Sequence, residues 1–221
     1  MILSYPGVDV ADAPDRVAYE PFLLVPGRIS WTKNIQLAVE AFKRAGLPAP
    51  WRLVIAGFVD QKSQTYLAEL KRLAGDHARI EFVRDPSDEK LNQLYRDAYA
   101  VLFTPLNEDW GIVPLEGMLR SKPIIANARG GPAESVQDGV TGWLLQPDAG
   151  QWAELLRTLP ARAAEVREMG RQARIRVERY DWSRFATDID DLIAASFTRP
   201  EPRAAVTTSA PSQRPGQPVQ T

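Results

Sequence analysis

Cysteine is absent from this 221-residue chain, which removes thiolate catalysis, disulfides and cysteine-ligated metal together. An excess of one charge is also lacking. The formal net charge of −1 gives neither a nucleic-acid footprint nor a strongly basic membrane-binding face. Long apolar runs are missing too: no window approaches the ~18 apolar residues of a membrane-spanning helix. The start, Met1-Ile2-Leu3-Ser4-Tyr5-Pro6-Gly7, lacks the charged and apolar regions of a signal peptide. Histidine occurs once, in Gly75-Asp76-His77-Ala78, ahead of a strand and so at the end of a sheet opposite its ligand crevice; His77 is not assigned as a base. From residue 198 to 221 large apolar residues nearly vanish in favour of Pro, Ser, Thr, Gln and Ala. That composition cannot bury enough surface to offset the entropy of ordering, so a disordered tail is expected.

What is present is an alternation of short apolar runs with longer segments of helical period. Phe22 to Val25, Trp51 to Ala56, Ile80 to Val83, Val101 to Thr104, Pro123 to Ala126 and Trp143 to Leu145 read as strands. Asn34 to Arg44, Lys62 to Ala74, Asp88 to Ala98, Val113 to Arg120 and Pro132 to Gln137 read as the helices between them, with Ala38, Val39 and Phe42 on one apolar face. This predicts an α/β, doubly wound, Rossmann-like domain with a six-stranded parallel sheet, right-handed crossovers and helices on both faces. Three more helices follow, over Ala149 to Leu159, Ala161 to Arg179 and Trp182 to Ser196. The arginines between Arg157 and Arg184 are interleaved with Glu165, Glu168 and Glu178, the pattern of a solvated helical surface.

Open α/β sheets bind ligands beyond the carboxyl ends of their strands, so the loops after the strands hold the candidates. The fourth carries Asn107-Glu108-Asp109-Trp110-Gly111-Ile112-Val113-Pro114-Leu115-Glu116. Glu108 falls in the crevice and Glu116 just over one turn into the next helix. Carboxylates there suit a polyol, because each oxygen accepts a hydroxyl hydrogen bond. The Gly111, Ile112 and Val113 amides open a helix and suit an anionic or hydroxyl-rich ligand. After the first strand, Pro26-Gly27-Arg28-Ile29-Ser30-Trp31-Thr32-Lys33 places Arg28 and Lys33 beside a helix start. Arg28 can grip phosphate with its planar fork and Lys33 can add a point charge, although in isolation two solvated basic residues are the commoner meaning of such a pattern. The loops at Gly57 and at Val83-Arg84 are candidates for holding a nucleobase. Ser87 or Asp88 can equally be a helix N-cap, and Glu134, after Gly130-Gly131-Pro132, can serve only to complement a helix dipole.

Taken together these segments resemble the donor-binding half of the GT-B-fold retaining glycosyltransferases, glycosyl transferases group 1. The resemblance runs from Tyr5-Pro6-Gly7-Val8-Asp9, similar to the family's interdomain linker, to Tyr180-Asp181-Trp182, similar to the start of its final helix. Gly111 to Glu116, Gly130-Gly131-Pro132 with Glu134-Ser135, and Phe82-Val83-Arg84 look most like the mannosyltransferases that extend lipid-linked oligosaccharides from GDP-mannose. Arg84 and Phe58 depart from the glycines usual at these positions, which leaves the base contacts open.

The resemblance implies a division into a linker remnant over 1–20, a nucleotide-sugar-binding domain over 21–197 and the tail over 198–221. It implies Arg28, Lys33 and Glu108 as catalytic candidates, and Gly27, Gly57, Val83, Arg84, Gly111, Ile112, Val113 and Glu116 as donor-binding candidates. It implies a sugar-nucleotide substrate, GDP-mannose or else a UDP-sugar, with no cofactor and no metal. An acceptor glycan or glycolipid would be reached through an N-terminal domain that has no counterpart here, or through a partner chain. Met1 falls at the linker, so the expectation is of a cut frame whose isolated product binds donor weakly and transfers little. A cytoplasmic place, peripheral at the inner membrane face, goes with the family. Two alternatives remain open at this point: a non-catalytic sugar-nucleotide-binding subunit that needs a partner, and an inactive truncated remnant.

Overall fold

The structure, a computed structural model, describes residues 4–14 and 16–197. The expected tail over 198–221 lies outside the described residues, as do the first three residues of the expected linker.

Six strands form one parallel sheet: β1 (Phe22–Pro26), β2 (Arg52–Gly57), β3 (Ile80–Arg84), β4 (Ala100–Phe103), β5 (Ile124–Asn127) and β6 (Gly142–Leu145), in the order β3-β2-β1-β4-β5-β6. That order reverses direction between β1 and β4, which makes their carboxyl ends the topological switch point. The strands are short and almost wholly apolar because both faces are covered. Leu23, Val25, Leu53, Ile55, Leu102 and Ile125 enter one core cluster. Phe22, Leu24, Val54, Ala56, Val101, Phe103, Ile124 and Ala126 enter the other. The period of two along each strand thus feeds two cores.

Helices α1 (Ile35–Ala45), α2 (Gln64–Ala74) and α6 (Ala149–Thr158) supply the first core, while α3 (Asp88–Asp97) and α4 (Ile112–Leu119) supply the second. In α1 the expected face is fully buried, with Ala38 and Val39 at 0% and Phe42 at 1% exposure. Ser87 does cap α3, its hydroxyl accepting from the Lys90 amide at 3.2 Å. The short α5 (Pro132–Ser135) begins at a proline, as read from the sequence, and ends two residues before the expected Gln137. The long helix expected over 161 to 179 is α7 (Ala163–Val177) flanked by 3-10 turns at Leu159–Ala161 and Glu178–Tyr180. Its surface is solvated in the expected way: Arg162 pairs with Glu165 at 2.5 Å, Arg171 with Glu168 at 2.5 Å and Arg174 with Glu178 at 3.3 Å. The last helix, α8 (Trp182–Phe197), has no buried residue. Among the described residues no helix is long and apolar enough to cross a membrane.

Candidate functional site

The loops that leave β1 and β4 meet at the switch point. Lys33, in the 3-10 turn Trp31–Lys33, directs its Nζ to Glu108 Oε2 at 2.6 Å, each side chain about a quarter exposed. Two candidates 75 residues apart in sequence are therefore one charged pair. Thr104 explains how they are brought together. Its hydroxyl donates to the Lys33 carbonyl at 2.7 Å, and its own carbonyl accepts from the side-chain amides of Asn34 at 3.2 Å and Asn127 at 2.6 Å. The ends of β1, β4 and β5 are laced by this network, and a further Asn127 bond to the Pro105 carbonyl at 3.0 Å completes it. Sequence reading missed Thr104, Asn34 and Asn127. For Thr104 and Asn127 a polar side chain at the end of an apolar run was the available signal, and for Asn34 its place just before a helix.

Below this pair lies a small cavity of about 20 Å3, lined by Pro26, Gly27, Lys33, Phe103, Thr104 and Val113 among others. Gly27 donates its amide to the Ala56 carbonyl at 3.0 Å, and Gly57 lies so close to Gly27 that a Cβ on it would stand 1.8 Å from the Gly27 oxygen. The Asp85 amide in turn bonds the Gly57 carbonyl at 3.0 Å, so the first three loops run side by side along the carboxyl edge. Arg28 is exposed there and makes no side-chain hydrogen bond or ion pair among the described residues. Arg84 is exposed and Val83 half-buried at the end of β3.

Gly111 precedes α4 with φ +85°, a conformation that L side chains avoid, and a Cβ there would meet Phe103 at 2.9 Å. It turns the chain so that Ile112 and Val113 start the helix, Ile112 exposed and Val113 against the small cavity. The Glu108 loop is braced from behind by the paired glycines. Gly131 donates to the Glu108 carbonyl at 2.9 Å, and a Cβ on it would stand 2.1 Å from the Trp110 carbonyl oxygen.

Glu116 has different partners from Glu108. It is half-buried, and its Oε2 accepts from the Tyr95 hydroxyl of α3 at 2.5 Å. Burial first, and then the Glu116 charge, hold the Tyr95 phenol well above its ordinary range, so it stays a donor. Glu116 Oε1 has no hydrogen bond among the described residues. Arg120, one turn on, lies over the Tyr95 ring at 5.3 Å and bonds Asn92 and the Glu116 carbonyl. A hollow of about 890 Å3 opens beyond it, with Asp12, Ser87, Lys90, Arg96 and Arg120 in its walls and none of the candidate residues. His77 sits at the amino end of β3, edge-on to Phe42 at 5.6 Å, and takes no part in the site.

Glu134 stands in the first turn of α5 as expected and, in addition, receives the Tyr5 hydroxyl.

Residues 13–176 match the family model described as glycosyl transferases group 1. The chain is 31% identical over 204 residues to the alpha-1,3/1,6-mannosyltransferase ALG2 of Rhizomucor pusillus, a match covering 78% of this chain and 44% of that protein. It is 34% identical over 168 residues to the human alpha-1,3/1,6-mannosyltransferase ALG2, covering 71% of this chain and 40% of that one. Among solved structures, a sucrose-phosphate synthase from Thermosynechococcus elongatus superposes with a TM-score of 0.75 at 27% identity, over 87% of this chain and 51% of that one. The chain spans less than half the length of the two curated relatives.

Proposed function

The chain belongs to the glycosyl transferases group 1 family, GT-B glycosyltransferases among which it is most like the mannosyltransferases, and on that premise we propose that it is a donor-binding half. Its work is to hold a sugar nucleotide, GDP-mannose in the first instance, for transfer of the hexose to a hydroxyl acceptor with retention of configuration. The observation that carries this reading is the meeting of Lys33 and Glu108 at the switch point, where a doubly wound sheet binds its ligand. The mannosyltransferase relatives support mannose as the sugar; a UDP-sugar is the second choice.

In this reading Arg28 and Lys33 face the donor diphosphate and stabilise the charge that develops on the departing nucleotide. No metal is needed for that neutralisation. Glu108 leaves Lys33 to accept a hydroxyl of the transferred sugar. The exchange is balanced rather than free: the pair is mostly buried, and the arriving diphosphate replaces at Lys33 the negative charge that Glu108 withdraws. The amides from Gly111 to Val113 border the sugar at the start of α4. Glu116, oriented by Tyr95 on one oxygen, offers Oε1 to the ribose hydroxyls. Gly57 with Val83 and Arg84 frames the base.

The 20 Å3 cavity at the crevice floor is far too small to enclose a sugar nucleotide, which supports a second wall supplied by an acceptor-binding half. Exposed Trp182, Ile193 and Phe197 on α8 support the same need, since they offer that half an apolar surface to cover. Residues 1–20 then act as the linker between the two bodies, and the assembled enzyme would meet its glycan or glycolipid acceptor at the cytoplasmic membrane face.

Replacing Glu116 with Ala tests the assignment. Nucleotide binding is expected to disappear while the thermal unfolding transition keeps its shape; unchanged affinity would remove the ribose role.

A further inference from the structure

The five-residue stretch 107–111 that carries Glu108 has no regular secondary structure, yet it is gripped by contacts that nucleotide binding does not require. The Trp110 indole stacks on the Tyr5 ring with centroids 4.2 Å apart and planes 19° from parallel. Its Nε1 donates to the Pro6 carbonyl at 2.8 Å. Tyr180 meets both rings edge-on, at 5.3 Å from Trp110 and 6.0 Å from Tyr5. The Tyr5 hydroxyl reaches Glu134 on α5, the helix that follows the glycines bracing the same loop.

Residues 5–8 are themselves fixed. Val8 donates to the Tyr180 carbonyl at 2.9 Å and accepts from the Trp182 amide at 3.2 Å. The Trp110 N–H is satisfied by a carbonyl 104 residues away in sequence, which fixes the orientation of the indole on segment 5–8 as well as its stacking. Trp110 lies two residues from Glu108, and Gly131 is pressed against the Trp110 backbone and donates to the Glu108 carbonyl, so the loop that holds the stacked indole is the loop that carries the Glu108 carboxylate.

We propose that Trp110 and Tyr5 are positioning residues: their stacked rings are the joint through which segment 5–8 sets the place of Glu108, and with it the grip on the sugar of the donor. The inference rests on the donor-site reading above and deepens it. A displacement of segment 5–8 and a loosening of the sugar become one event, while the nucleotide contacts at Glu116 and Arg28 stand apart from the joint. Misplacing a positioning group by about 1 Å is enough to lose most of its effect.

The test compares GDP and GDP-mannose dissociation constants on the full chain by ligand-observed NMR titration, for wild type, Trp110→Ala, Trp110→Phe and Tyr5→Leu. Trp110→Ala and Tyr5→Leu are expected to weaken GDP-mannose about tenfold and GDP by no more than about twofold, with Trp110→Phe between wild type and Trp110→Ala because it keeps a ring on Tyr5 but loses the N–H bond to the Pro6 carbonyl. Equal loss for both ligands, or loss for neither, overturns the joint. Tyr5→Leu carries the decision if circular dichroism shows that Trp110→Ala does not fold. A wild-type chain that binds neither nucleotide overturns the donor-site reading itself, and so is distinguished from failure of the joint.

Discussion

At the scale of single residues, the site is a set of charges already committed to partners. Glu108 occupies Lys33, and Tyr95 occupies one oxygen of Glu116. Arg28 is an exposed cation on the first loop that makes no side-chain hydrogen bond or salt bridge among the described residues and lies near enough to Asp60 for their charges to attract. A diphosphate arriving at Lys33 must compete with the Glu108 carboxylate, and the two halves of the donor should therefore respond oppositely to its neutralisation. Glu108→Gln is expected to leave GDP affinity unchanged or raise it up to about threefold, because the competing charge is gone. The same variant is expected to weaken GDP-mannose, because the amide offers only one acceptor to the sugar. Paired isothermal titrations with GDP and GDP-mannose read both arms, and a parallel loss for the two ligands would contradict the assigned exchange.

At the scale of elements, segment 16–20 is docked on the domain by a buried lysine. Lys122, after α4, is 0% exposed; its Nζ donates to the Ala18 carbonyl and lies 4.1 Å from the Tyr19 ring centroid. Ala18 and Glu20 also donate to the carbonyls of Arg96 and Asp97 at 3.0 and 2.9 Å, and the Tyr19 hydroxyl donates to Ser121 at 2.6 Å. Burial outweighs the pull of Asp97 and lowers the Lys122 pKa from 10.5 to about 7. Between those values the unfolded chain binds the extra proton, so stability rises with pH there; below about 7 the penalty for burying the charge is fully present. Between pH 7 and 9 the wild type should gain roughly 2 kcal/mol relative to Lys122→Met, measured by urea unfolding at each pH. A constant difference between the two proteins would show that Lys122 does not change its charge in that window.

At the scale of the whole molecule, the doubly wound sheet was legible because its signals are local. The strands are short, mainly apolar runs, buried in the middle of the sheet and less so at its edges β3 and β6, whose observed ends fall within one or two residues of those read, and Ser87 caps α3 where the sequence offered it. The positions of the candidates were legible as loop addresses on that sheet. Their partners were not, because Lys33 with Glu108, Tyr95 with Glu116 and Trp110 with Pro6 join residues 75, 21 and 104 positions apart. Such pairs depend on how the crossovers pack. Glu134 shows the same limit: its place in the first turn of α5 was readable, its bond to Tyr5 was not. The measurement that tests the central claim most directly is saturation-transfer NMR of the purified chain with GDP-mannose, GDP, UDP-glucose and UDP, repeated with Glu116→Ala. A donor site of mannosyltransferase type predicts saturation of the guanine pair above the uracil pair and its loss in the variant. Absence of saturation for all four, or saturation that the variant leaves unchanged, would contradict it.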